Sequence, residues 1–300
     1  MQLTILGCRS GMPADGQASS GYLVETASTQ LLLDCGPGIA TALSAVTDPT
    51  ALDAVVISHL HSDHCYDLLP IGKSLLSAAL SFPGGPEVRV AQVRPVPLFV
   101  PAGAREVFTR WAALFPVTTM PILDQAFERA FDVREYEPGE VFEVGDATIG
   151  LHELRHVLPN CGIRVEAGGV ALAYTGDTGP SDAAVKLAAD VDLLLAEATL
   201  SQPDRTEHGH LSGGDAGRIA ARAGVRELAL THFTCIDRHW LQHLRDDAAS
   251  AFPGPIRLVR PGERIRLFGK EVGSTLSGHG GADCGGAVGD RGIRFRDWET

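Results

Sequence analysis

The sequence predicts an α/β domain in which two β-sheets pack face to face and helices cover both outer surfaces. Three observations carry this. Short apolar, β-rich runs recur along the chain, at 3–6, 22–25, 30–34, 54–58, 97–101, 148–154, 162–166, 170–177, 191–197, 227–233 and 256–259. Several of them, such as AVVI within AVVIS (54–58) and LLLA within VDLLLAE (191–197), are continuously apolar, the pattern of strands covered on both faces. Helix-like stretches stand between them in both halves of the chain.

Each helix has its own signal. PGIATALSAV (37–46) has a proline near its start, and SDAAVKLAAD (181–190) opens on Ser181 and Asp182, both capping residues. Residues 213–224 place Ala216, Ile219, Ala220 and Ala223 on one face and stop at Gly224. Residues 238–252 complete the set. Residues 73–85 and 105–115 also look helical and apolar. They are read as ordinary core, with a pocket wall or a homodimer face as the alternatives. GSTLSGHGGADCGGAVGDRG (273–292) is rich in Gly and Ser, so one domain over 1–270 and a disordered tail over 271–300 are expected.

Bulk properties exclude several classes. The chain has 300 residues, 44% of them hydrophobic, and a formal net charge of −12. That charge argues against a long nucleic acid as partner, because phosphate binding relies on Lys and Arg. MQLTILG is strand-like at once, with no signal-peptide pattern, and no apolar run approaches the ~20 residues of a membrane span. The six cysteines are scattered without a CxxC pair, which does not suggest a disulfide framework. A cytoplasmic protein without membrane contact is expected.

The chemistry concentrates in HLHSDH (59–64), directly after the buried run AVVIS. Packing gains nothing from three imidazoles and a carboxylate at a strand end, and burying them unpaired is costly. Neutral imidazole and carboxylate are the preferred ligands of zinc and similar divalent ions. His59, His61, Asp63 and His64 are therefore metal-ligand candidates. His156, Asp177 and His232 repeat the same placement, each at a strand end followed by a turn. Asp177 has two oxygens and can bridge two cations. Two metals are expected rather than one.

These residues resemble the HxHxDH signature of the metallo-β-lactamase superfamily. RHVLPNCG, TGDT, GHLSG and LTHF follow in that family's order. The resemblance spans roughly residues 1–265 and is strongest to the ribonuclease Z-like branch, through LGCRSGMPADGQASSGYLV (6–24) and HLSGGDAGRIAARAGVRELALTHF (210–233). Within that branch the chain looks most like the atypical class II cyclic-AMP phosphodiesterases. The resemblance implies a four-layer αββα metallo-β-lactamase sandwich with the metals at one edge between the sheets. It implies that His59, His61 and His156 hold one zinc, that Asp63, His64 and His232 hold the other, and that Asp177 bridges them. It also implies that His210 pairs with the Asp63 carboxylate. The branch's tRNA-gripping arm has no room here, because only residues 157–176 separate the matched positions.

Two zinc ions ~3.5–4 Å apart can share a hydroxide and lower its pKa towards ~7; Mn²⁺ or Fe²⁺ could replace zinc. Phosphodiester cleavage must also expel an alkoxide, and His210, with an ordinary pKa near 6.5, is the natural acid. Asp63 and His210 are thus the catalytic candidates. A small phosphodiester, 3′,5′-cyclic nucleotides first, is the expected substrate. Another ester class (sulfate ester, lactone or thioester) or an RNA 3′ end is the alternative. Glu197 could orient a ligand histidine, or make a strand-end salt bridge. Ser19 and Ser20 could touch the substrate phosphate. His152 is read as surface or core, His208 as a loop residue with a place over the substrate as the alternative, His239 and His243 as solvated, and Cys65 and Cys235 as packing.

Overall fold

Alternation along the strands decides which layer each side chain serves. In the computed structural model, which describes residues 1–81, 89–90 and 93–269, Leu31 and Leu33 face the space between two sheets while Leu32 between them faces a helical layer. Ala54 and Val56 divide from Val55 in the same way. A run with both faces covered has no reason to alternate polarity, which is why these strands read as continuously apolar.

The N-terminal half supplies β1 (Gln2–Gly7), β2 (Gly21–Glu25), β3 (Gln30–Leu33), α1 (Ile39–Ser44), β4 (Ala54–Val56), α2 (Ser62–Cys65) and α3 (Leu68–Ala78). A two-residue pairing of β5 (Leu80–Ser81) with β6 (Arg89–Val90) follows, then β7 (Val96–Pro101), α4 (Ala104–Ala112) and β8 (Phe131–Tyr136). The other half supplies β9 (Val141–Val144), β10 (Ala147–Leu154), β11 (Asn160–Ala167), β12 (Val170–Tyr174), α5 (Asp182–Leu187) and β13 (Leu193–Glu197). It ends with α6 (Gly213–Ala223), β14 (Glu227–Thr231), α7 (Arg238–Ala249), β15 (Ile256–Leu258) and β16 (Arg264–Arg266).

Seven strands form each sheet. The first runs β16-β1-β2-β3-β4-β7-β8 and the second β15-β14-β13-β12-β11-β10-β9. The last strand thus returns to the first sheet, where Leu3 pairs antiparallel with Ile265. One apolar cluster joins the outer face of the first sheet to α1, α3 and α4, with Ile39, Leu76 and Phe108 buried in it. A larger one fills the space between the sheets and continues under α5, α6 and α7. The layers are therefore helices, sheet, sheet, helices: the expected αββα sandwich. Phe99 of β7 stacks on Phe142 of β9 with centroids 3.9 Å apart, and Tyr22 of β2 meets Tyr174 of β12 at 4.9 Å. These pairs fix the distance between the sheets.

The expected helices form with shorter ends. The first is confined to Ile39–Ser44, because Gly38 at φ 92° holds a left-handed turn before it. The helix α6 is the most strongly specified. The Ser212 hydroxyl accepts from the Asp215 amide while the Asp215 carboxylate accepts from the Ser212 amide, and Gly224 closes the helix in the left-handed region. The stretch read as helical over 73–85 starts earlier, at Leu68, and gives way after Ala78. Strands β8, β9 and β16 were not expected, since their polar positions lie on half-exposed faces at or near the sheet edges. The five described cysteines are all free. The glycine-rich tail lies outside the described residues.

Because Phe142 is fully buried at the junction of the sheets, Phe142→Ala is expected to destabilise the fold by about 3–5 kcal/mol. Urea unfolding checks this. A loss below about 1 kcal/mol would show that the inter-sheet core closes over the gap.

Candidate metal centre

The strand ends converge on one edge of the sandwich. β4 leads into His59, β10 into His156, β12 into Asp177 and β14 into His232, while Glu197 is the last residue of β13. Where strands run parallel, their carboxyl ends open on the same side, and loops leaving them can meet. α2 begins there with His61 as its N-cap and Asp63 in its first turn. The glycine-rich loop after β1 and the turn after β3 are both laced to this helix. The Gly11 amide donates to Asp63 Oδ2 at 2.8 Å, the Ser20 amide to the Asp63 carbonyl, and the Cys35 amide to the His64 carbonyl. A Cβ on Gly36 would collide with that same Asp63 carbonyl, so only glycine lets the two segments approach.

Two clusters that share Asp177 result, and a third group, Glu197, His210 and His232, adjoins the second through His232. The coordinating atoms of His59, His61, His156 and Asp177 all lie within 4.8 Å of one another, as do those of Asp63, His64, Asp177 and His232. Asp177 belongs to both. His59 Nε2 is 2.9 Å from His61 Nδ1, which is 3.2 Å from His156 Nε2. On the other side His64 Nε2 is 3.3 Å from His232 Nε2, itself 3.3 Å from Asp63 Oδ2. The outward nitrogens are held. His64 Nδ1 donates to Asp34 Oδ2 at 2.7 Å, and His156 Nδ1 donates to the Gly209 carbonyl at 3.1 Å. His59 Nδ1 meets the Ser58 hydroxyl at 3.0 Å and His232 Nδ1 the Thr199 hydroxyl at 2.8 Å. Such outer contacts fix ring orientation and leave the inner lone pair for a cation.

The donor set fits divalent metal. Asp177 is 2% exposed, and its Oδ1 has no hydrogen-bond partner among the described residues. The polar neighbours of Oδ1 are His64 Nε2 at 3.3 Å and His232 Nδ1 at 3.4 Å, so the buried oxygen is poorly satisfied, and a cation between the clusters would remove that cost. Burial and the neighbouring His64 push His59 well below the ordinary imidazole range, and burial lowers His61 and His156. Neutral rings are what a metal needs; His64 differs, because Asp177 and Asp34 outweigh its burial and push it well above that range, so it would have to give up a proton to bind a cation. Burial alone would raise the carboxyls of Asp63 and Asp177. Instead the His232 hydrogen bond and the His64 charge hold Asp63 down, and the charges of His232 and His64 hold Asp177 well below the usual range.

Two features escaped sequence reasoning. Asp34, ending QLLLD, is fully buried at φ 55° and anchors the centre. Its Oδ2 accepts from His64, from the Tyr174 hydroxyl at 2.6 Å and from the Ser58 hydroxyl at 2.8 Å; Oδ1 accepts from the Ser58 amide at 2.7 Å. An acid closing an apolar run is the available signal. The second is Thr199. Its hydroxyl donates to Glu197 Oε2 at 2.5 Å and so orients His232 on that carboxylate.

His210 corrects an expectation. Its Nδ1 donates to Glu197 Oε1 at 2.9 Å, not to Asp63. The buried Glu197 also accepts from the Thr178 amide, so His210 has a fixed carboxylate on its own strand edge, whereas Asp63 is committed to His232 and Gly11. Burial would depress the His210 imidazole, but the Glu197 hydrogen bond and charge prevail and push its pKa up to about 9. Ser19 and Ser20 are also corrected. Both are fully buried, so neither can touch a substrate phosphate; the Ser19 hydroxyl donates to the Gly11 carbonyl and steadies the loop. His208, His239 and His243 are exposed. His152 stands in a groove beside Gly150 and Arg164, outside both clusters. Cys65 Sγ donates to the His61 carbonyl.

A two-sheet αββα sandwich with His and Asp side chains converging at one edge defines the metallo-β-lactamase class of fold. The chain belongs to that superfamily: residues 29–233 match the Beta-lactamase superfamily domain. It is 34% identical over 278 residues to the protein ML1173 of Mycobacterium leprae, covering 90% of each chain. It is 30% identical over 263 residues to the probable metallo-hydrolase YhfI of Bacillus subtilis, covering 87% of this chain and 98% of the relative. The crystal structure of YhfI superposes with a TM-score of 0.74 over 88% of this chain and 98% of that one. Ribonuclease BN of Escherichia coli is 28% identical over 312 aligned positions, covering 84% and 96%. Between His156 and Asp177 this chain has only the hairpin of β11 and β12. Among the described residues no helix is long and apolar enough to cross a membrane.

Asp34→Asn keeps the shape of the anchor and removes its charge. It is expected to weaken zinc binding about 10- to 100-fold, measured by competition with a chromophoric chelator; affinity equal to wild type would remove Asp34 from the centre.

Proposed function

We propose that the chain is a dinuclear metal hydrolase acting on small phosphodiesters, with 3′,5′-cyclic nucleotides as the leading substrates. The observation that carries this is His210, a histidine held by a buried carboxylate at the edge of the metal cradle. Esters with good leaving groups have little need of a proton donor, whereas an alkoxide leaving a phosphodiester does. The net charge of −12 and the short hairpin between His156 and Asp177 favour a small substrate over RNA. Kinship to ribonuclease BN and to a probable metallo-hydrolase supports hydrolysis at this centre. Free cysteines support a reducing, cytoplasmic setting.

His59, His61, His156 and Asp177 would hold one divalent cation, and Asp63, His64, His232 and Asp177 the other. The mixed imidazole and carboxylate set suits zinc, and Mn²⁺ or Fe²⁺ as alternatives. Bound there, such ions supply Lewis acidity and a water activated at neutral pH. Asp63 is ionised and its side chain is 14% exposed, so it can accept the proton of an attacking water. His210, with Nδ1 fixed by Glu197, presents Nε2 as the acid. As the phosphorus–oxygen bond breaks, the proton passes from Nε2 to the departing oxygen; the neutral imidazole is then recharged from solvent, and Asp63 releases the water's proton to solvent. Glu197 makes the protonated form favourable before each turnover.

Zinc-loaded protein is expected to convert 3′,5′-cyclic AMP to 5′-AMP, and His210→Ala to lose about 10²–10⁴-fold in kcat. Ester or thioester turnover that survives His210→Ala, with no diesterase activity, would overturn the reading. The acid must be protonated to act, so activity is lost as pH rises through the His210 pKa. Nearby cations lower that value from about 9, and Glu197 raises it. Glu197→Gln is therefore expected to move the alkaline limb of the pH–rate profile to lower pH.

A further inference from the structure

Three large apolar side chains that stand open to solvent lie within three residues of a group in the centre. Met12, 55% exposed, follows Gly11; Val157, 54% exposed, follows His156; Tyr66, 47% exposed, comes three residues after Asp63. Exposed apolar groups mark surface that something covers; the nearness of these three to the centre is along the chain.

Tyr66 has the most defined geometry. Its amide donates to the Ser62 carbonyl at 3.0 Å and its backbone is helical, so it continues α2. Three residues of helix rise about 4.5 Å, and a helical side chain leans towards the turn before it, which here carries Ser62 and Asp63. One side of the ring is backed by Trp111 of α4, with centroids 5.2 Å apart and planes tilted by 44°. Trp111 in turn meets Phe127 at 6.2 Å, and Phe127 stacks on the buried Phe108 at 4.6 Å. An aromatic series thus runs from the core to the rim and ends on the exposed ring of Tyr66. A ring anchored in this way loses little freedom when a ligand lies on it.

We propose that Tyr66, backed by Trp111, is a stacking platform that selects phosphodiesters carrying a flat aromatic group, such as a nucleobase. This rests on the phosphodiesterase reading of the adjoining centre. Stacking tolerates different rings, because every base has a π-face. The platform therefore discriminates nucleotide from sugar phosphate more than one base from another.

The test compares cyclic AMP with an abasic ribose 3′,5′-cyclic phosphate on zinc-loaded wild type, Tyr66→Ala, Tyr66→Leu and Tyr66→Phe. Tyr66→Leu keeps bulk against Trp111 and guards against a packing defect. Both Tyr66→Ala and Tyr66→Leu are expected to raise KM for cyclic AMP about tenfold with kcat changed less than about twofold, and so to erode the preference over the abasic diester. Tyr66→Phe is expected to restore it. Quenching of tryptophan fluorescence by 5′-AMP gives a readout independent of turnover. If neither diester is cleaved but quenching requires an aromatic residue at 66, the platform stands and the phosphodiesterase reading falls. If both diesters are cleaved and Tyr66→Ala and Tyr66→Leu leave the preference intact, the platform falls and that reading stands. If the variants turn a dimer into monomers and depress both substrates equally, the patch is a contact between copies and the proposal is overturned.

Discussion

The constraint on which the structure turns is the burial of Asp177 between two groups of imidazoles. One carboxylate oxygen lies 3.3 Å from His64 Nε2, the other 3.7 Å from His59 Nε2, in a setting that excludes water almost completely. Neither sheet alone could hold that arrangement. His59 and His64 come from the first sheet and its short helix, whereas Asp177, His156 and His232 come from the second. The stacked Phe99–Phe142 and Tyr22–Tyr174 pairs therefore do more than fill a core. They set the separation at which two half-sites become one.

The backbone is bent to serve this geometry. Asp34 and His232 are non-glycine residues held in the left-handed region, at φ 55° and 59°. Such conformations cost of order 1–3 kcal/mol each and persist only where surroundings over-determine them. For Asp34 the surroundings are its hydrogen bonds to His64, Tyr174 and Ser58. For His232 they are Thr199 and Asp63. Both residues directly follow an apolar strand and must turn a side chain sideways into the cleft rather than onward along the sheet. The strain and the function have one geometric origin.

What the sequence made legible follows from range. HLHSDH is local, so its chemistry could be read from six residues. Buried strands were readable because covering both faces erases polar alternation, and α6 because its caps lie within its own turns. The edge strands β8 and β9 keep exposed positions and lack that signature. Partnerships across the fold were the least legible. Asp34 meets the Tyr174 hydroxyl 140 residues away, and no spacing announces it. His210 shows the same limit from the other side. Resemblance marked the residue, but which carboxylate holds it depends on β13 ending at Glu197 beside the start of α6, a placement that only the assembled sheet provides.

That placement gives Glu197 two duties. One oxygen holds His210; the other, through the Thr199 hydroxyl, holds His232. The oxygen that holds His210 and the oxygen that orients a candidate metal ligand are the two ends of a single buried carboxylate. One buried side chain therefore ties the position of His210 to that of His232. That shared tie is a physical reason for a rigid, fully buried strand end, rather than a surface loop, to carry the carboxylate that holds both rings.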